Sequence, residues 1–163
     1  MKLQRGDIFT IHSESLLDKL IDWVQAMWAK DKKSTESHCG IIISEDGETF
    51  ESKFRISRGH IAEYTMNPKK RVRIYRHAEM SEDKFIRGWD FVKIHEGQIY
   101  PIHRWPLFIL GLAEEFKILP KPVCSELVKK FLYGCDLSRT FWGTDVDELS
   151  DEVNSGLPWE VIL

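Results

Sequence analysis

Apolar and polar positions alternate in several short stretches of the chain. Gly6 and Asp7 lead into Ile8-Phe9-Thr10-Ile11, which predicts a first strand. Cys39 to Ile43 is a β-rich run, Ser44-Glu45-Asp46-Gly47 is turn chemistry, and Glu48 to Phe54 returns as a strand, so the three together predict a hairpin. Arg71 to Tyr75 reads as a further strand, with Arg71 and Arg73 on one face and Val72 and Ile74 on the other.

Helical spacing takes over elsewhere. After Ser13 or Ser15, either a suitable cap, Leu16, Leu17, Leu20, Ile21, Val24, Met27 and Trp28 fall on one face, opposite Asp18, Lys19, Asp22 and Gln25. Ser81 caps a second helix through Phe85, Ile86, Trp89, Val92 and Lys93, which Gly97 stops. Trp105 to Phe116 predicts a third, with Pro106 near its first turn. Pro120 and Pro122 break the chain before a last helix, on which Val123, Leu127, Val128, Phe131 and Leu132 share a face and Gly134 supplies the stop. The strands exceed what a bundle needs, and their order is not a regular βαβ alternation. The expected class is α+β, a small antiparallel sheet packed against helices.

Composition narrows the function classes. The 163 residues fit one domain, 1–163, large enough for a core without staples. A formal net charge of -3 argues against a nucleic-acid footprint over the whole surface. The basic run Lys69-Lys70-Arg71-Val72-Arg73 is read as a solvated strand face. No stretch approaches the length of a membrane span. The opening residues lack an apolar signal-peptide core, and the odd cysteine count at positions 39, 124 and 135 fits reduced thiols, so a cytoplasmic setting is expected.

Three places carry chemistry. Cys124 falls in the first turn of the last helix, where unpaired N–H groups and the positive end of the helix dipole favour a thiolate and can bind an oxyanion. His38 stands at the mouth of the apolar strand Ile41-Ile42-Ile43, positioned to project toward a helix terminus. Cys39 must face the opposite way and is read as core. Glu51 lies in the returning strand, where a carboxylate can accept the second ring N–H of His38 and fix its tautomer.

Turn length decides whether Glu51 reaches. A two-residue Asp46-Gly47 loop pairs Ile42 with Glu51, roughly 13 Å along the strand from His38. A three-residue loop turns Glu51 away. A four-residue Ser44 to Gly47 loop sets Gly40 opposite Glu51, with His38 diagonal to it on the same face. That last register, or a bulge of equal effect, is the expected one.

These residues resemble the circularly permuted branch of NlpC-type cysteine peptidases, the YiiX-like group of papain-like enzymes. The resemblance runs from Gly6-Asp7 through Ser37-His38-Cys39-Gly40-Ile41, Glu51 and Gly97-Gln98-Ile99-Tyr100 to Cys124-Ser125-Glu126-Leu127-Val128, and reaches about Phe131. Ordinary papain-like chains place the cysteine first; here His38 and Glu51 precede Cys124. The resemblance implies a papain-like hydrolase domain with Cys124 as nucleophile, His38 as general base and Glu51 as orienting residue. Tyr100 and Ser125 are the implied substrate-binding positions, although Pro101 stands where members often carry an acidic residue. The implied reaction is acyl transfer on a peptide or acyl-peptide substrate, with a peptidoglycan stem peptide among the candidates. It needs no metal or organic cofactor. A zinc set of His38, Cys39, Cys124 and Cys135 matches no usual ligand spacing. Two other classes remain expected alternatives. One is a lipid-directed acyltransferase or thioesterase using the aromatic segment Tyr100 to Phe116 as an acyl groove. The other is a binding module without turnover.

Overall fold

The computed structural model describes residues 2–13, 38–99, 124–139 and 158–163. The helices expected over Leu16 to Trp28 and over Trp105 to Phe116 lie outside them. Within the described residues the architecture is mixed α+β, built on a curled antiparallel sheet of six strands.

In chain order the strands are β1 (Ile8–Ser13), β2 (His38–Ile42), β3 (Glu48–Ser52), β4 (Ile56–His60), β5 (Lys70–His77) and β6 (Trp159–Val161). Their order across the sheet is β4-β3-β2-β1-β5-β6, with every neighbouring pair antiparallel. The helices are α1 (Ala62–Thr65), α2 (Glu82–Val92) and α3 (Cys124–Gly134). Among the described residues, no helix is long and apolar enough to cross a membrane.

Strand alternation divides the apolar side chains between two faces. Ile8, Cys39, Ile41, Phe50 and Tyr75 point to one face, where they form the main core with Phe85 and Val92 of α2 and Leu127, Val128, Phe131 and Leu132 of α3. Phe9, Ile11, Ile42 and Ile74 point to the other, joined by Ile61 and by Tyr64 of α1. Asp7 and Arg76 clamp the start of β1 to β5 through two hydrogen bonds, from Nε at 2.8 Å and from Nη2 at 2.7 Å.

The β2–β3 connection is the four-residue loop. Ile43 N donates to Glu48 O at 2.8 Å, and Gly40 stands opposite Glu51. Ser44 closes the loop by accepting Glu48 N–H on its side chain at 3.0 Å, and Gly47 takes a φ of 96°, which favours glycine. Ser81 caps α2 by accepting Lys84 N–H, as expected. The helix ends at Val92 and tightens into a 3-10 turn over Lys93–His95 before Gly97. β3 stops at Ser52, short of Phe54, which is 74% exposed. Strand β4, helix α1 and strand β6 carry no pattern that the sequence reading picked out. In β4 only Ile56 is buried, and β6 is three residues long.

Helices α2 and α3 meet closely at Gly88. A Cβ there would lie 2.3 Å from Cys135 Sγ and 2.8 Å from the Phe131 ring. Gly88→Ala is expected to destabilise the fold by about 1–3 kcal/mol, the usual cost of overpacking, read as a lower denaturation midpoint. An unchanged midpoint would mean that the helix pair yields without strain.

Candidate active site

The site is built where β2 begins. Glu51 lies opposite Gly40, and His38 precedes Gly40 by two residues on the same face. The diagonal is closed by His38 Nε2 and Glu51 Oε2 at 2.7 Å. Glycines make room for this contact. A Cβ at Gly40 would lie 2.6 Å from the Phe9 ring and 3.0 Å from Glu51 Cβ, and one at Gly59 on β4 would lie 2.5 Å from Glu51 Oε1.

Glu51 is 1% exposed, so its charge must be compensated internally. It accepts the Tyr64 hydroxyl from α1 and the Thr49 hydroxyl at 2.9 Å, and Lys53 Nζ stands 3.4 Å from Oε1. Burial pushes the carboxyl pKa up. The hydrogen bond and charge of His38, the Tyr64 hydroxyl and the Lys53 ammonium together outweigh it and bring the value down to about 2.

His38 keeps 17% of its side chain exposed and packs beside the rings of Phe9 and Tyr64, at 6.2 and 6.1 Å between centroids. With Nε2 committed to Glu51, Nδ1 is the ring atom left for Cys124. Burial draws the imidazole pKa down, but the hydrogen bonds to Cys124 and Glu51 raise it to about 9.

Cys124 stands at the N-terminal end of the described α3 and is 8% exposed. Its thiol is drawn well below the ordinary range, first by a hydrogen bond from the Cys39 side chain. Burial opposes this, and the hydrogen bond and charge of His38 add to it. The two shifts describe one coupled pair, in which the thiolate and the imidazolium each favour the charged form of the other. Such an arrangement can supply a nucleophilic sulfur, a proton carrier in reach of it and a carboxylate to orient that carrier.

Thus His38, Glu51 and Cys124 converge. Ser125 follows Cys124 in the chain and is 1% exposed, and Tyr100 lies outside the described residues. Cys39 is in the main core, as its alternation requires, yet its thiol also reaches Cys124. Cys135 is fully buried against α2, where desolvation pushes its thiol up to about 12. Among the described residues no group of three His, Cys, Asp or Glu has the arrangement to hold a metal ion.

Sequence reasoning missed Tyr64, Thr49 and Lys53. Thr49 in β3 and Lys53 just past its end stand two residues to either side of Glu51, so a search for partners at period two along the chain would have found them. Tyr64 belongs to a four-residue helix with no periodic signal. No family model matches the chain, and no curated protein matches it in sequence.

The depressed carboxyl sets a direction for acid stability. Glu51 stabilises the fold above about pH 4.5, its ordinary value, and that contribution is lost as pH falls through about 2. Urea unfolding across this range is therefore expected to show a steeper acid loss in the native protein than in Glu51→Gln, by a few kcal/mol at most. Parallel curves would mean that the carboxylate is not held as described.

Proposed function

We propose that the chain is a cysteine hydrolase of the papain-like, circularly permuted NlpC type, acting on peptide or amide bonds of peptide or acyl-peptide substrates. The observation that carries this reading is a single imidazole held between a buried carboxylate, at 2.7 Å, and a cysteine sulfur at a helix start. The two ring nitrogens meet a carboxylate and a thiol sulfur, the pairing that activation of a nucleophile requires. The order His38, Glu51, Cys124 along the chain supports the permuted form.

In this reading the Cys124 thiolate attacks the carbonyl carbon, and the oxygen takes the negative charge. The tetrahedral adduct collapses by breaking the C–N bond. The leaving amine takes the proton from His38 Nδ1, and the acyl group remains on sulfur as a thioester. The neutral imidazole then accepts a proton from water, whose oxygen attacks the thioester. Collapse releases the carboxylic acid and restores the thiolate and imidazolium. Glu51 holds the ring through Nε2 throughout and stabilises its charged form. Buried Tyr64, hydrogen-bonded to Glu51, keeps that carboxylate in place.

Incubation with muropeptides, N-acyl peptides and phospholipids, read by mass spectrometry, is expected to show amide cleavage that Cys124→Ala abolishes. Acyl transfer among lipids without amide cleavage would overturn the peptide reading. With a cleaved substrate, kcat/KM is expected to be bell-shaped in pH. The acid limb lies below the ordinary thiol range, where the thiolate is lost, and the alkaline limb falls as His38 loses its proton at about pH 9. A rate that keeps rising through that pH would contradict the role of the imidazolium as proton donor.

A further inference from the structure

The proposed triad leaves one neighbour of the sulfur without a role. We propose that Cys39 is a positioning residue of this site, whose thiol donates a hydrogen bond to Cys124 Sγ and holds that sulfur ionised and turned toward His38. This deepens the reading of Cys124 as nucleophile and rests on it.

The geometry follows from the strand. His38 and Cys39 are consecutive residues of β2, so their side chains leave the sheet on opposite faces. His38 goes to the face that holds Glu51, and Cys39 goes to the face that α3 covers. Cys124, at the N-terminal end of α3, belongs to the same buried cluster as Cys39 and also meets the His38 ring. The sulfur is therefore gripped from both sides of one strand end. Cys39 is fully buried, and its main-chain N–H is also directed at Cys124 Sγ. Across the β1–β2 ladder it faces Thr10, whose buried hydroxyl makes no hydrogen bond among the described residues and so does not take up the Cys39 thiol. A thiol is a weak donor to a neutral acceptor, but a donor to an anion forms a charge-assisted bond. The contact thus favours the thiolate over the thiol.

Among the described residues, the other ionisable groups that act on the sulfur or feel its charge are His38 on β2 and Tyr64 on α1, while Glu51 on β3 and Lys53 just past that strand meet the site through His38 and Glu51 respectively. None of them changes when Cys39 is replaced. A substitution at Cys39 therefore isolates the thiol donor from the imidazolium.

The test is the rate of iodoacetamide labelling at Cys124 across pH, assigned by peptide mapping, in the native protein and in Cys39→Ala, Cys39→Ser and His38→Ala. Cys39→Ala is expected to move the labelling midpoint upward by about one pH unit, the scale of one lost charge-assisted hydrogen bond. Cys39→Ser, which restores a donor of similar size, is expected to recover most of that shift. If Cys39→Ala does not fold, Cys39→Val, which fills the space without a donor, carries the same expectation. A midpoint unchanged without the thiol would overturn the proposal. So would a Ser variant displaced as far as the donorless ones, because the effect would then be packing. His38→Ala reports separately on the Cys–His pairing: a midpoint that does not rise there defeats the parent reading, whatever Cys39 does.

Discussion

A carboxylate buried to 1% exposure organises the centre of this molecule. Placed alone there, Glu51 would be neutralised or would unfold its surroundings, because desolvation of a charge costs far more than most single contacts return. The fold answers with Thr49 on β3, Lys53 just past its end, Tyr64 on α1 and His38 on β2. Helix α1 is only four residues long and has little stability of its own. Its Tyr64 is tied to the carboxylate and has Lys53 and Lys70 over its ring at 4.8 and 4.7 Å. Together with the Cys124 sulfur, the same carboxylate raises the affinity of His38 for a second proton. Structural demand and the proposed chemistry thus meet in one group.

The second constraint is the pleat. Two adjacent residues of β2 cannot face the same way, yet His38 and Cys39 both reach Cys124. That is possible only at the end of a strand, where a helix terminus packed on one face can lean past the edge to the other. The position of α3 on the main core, fixed by Leu127, Val128, Phe131 and Leu132, brings its first turn to that point. Cys135, at the other end of the same helix, shows the contrast: it is packed against Gly88, and its thiol is held neutral by burial.

Much of this is legible in the sequence because it is written in local pattern. Alternation marks β1, β2, β3 and β5, Ser81 marks the start of α2, and the spacing of Val128 and Phe131 marks α3. The hairpin register follows from whether four residues, Ser44 to Gly47, form the loop, and from it the His38–Glu51 diagonal follows in turn. What escapes is set by tertiary contact. Tyr64 is an ordinary tyrosine in a polar segment until the sheet curls Glu51 toward it. Cys39 reads as a core residue and is one, but its second contact depends on where a helix more than eighty residues later comes to rest. Strands β4 and β6 are too short to carry a period and exist by pairing with longer neighbours.

The central claim is that His38 is an imidazolium paired with the Cys124 thiolate in the resting protein. Nitrogen-15 NMR of the histidine side chains reads this without a substrate. Near neutral pH the His38 ring is expected to carry protons on both nitrogens, to lose one at about pH 9, and to lose it at markedly lower pH in Cys124→Ala. A neutral His38 ring in the native protein at neutral pH, or a titration that ignores the loss of Cys124, would contradict the account.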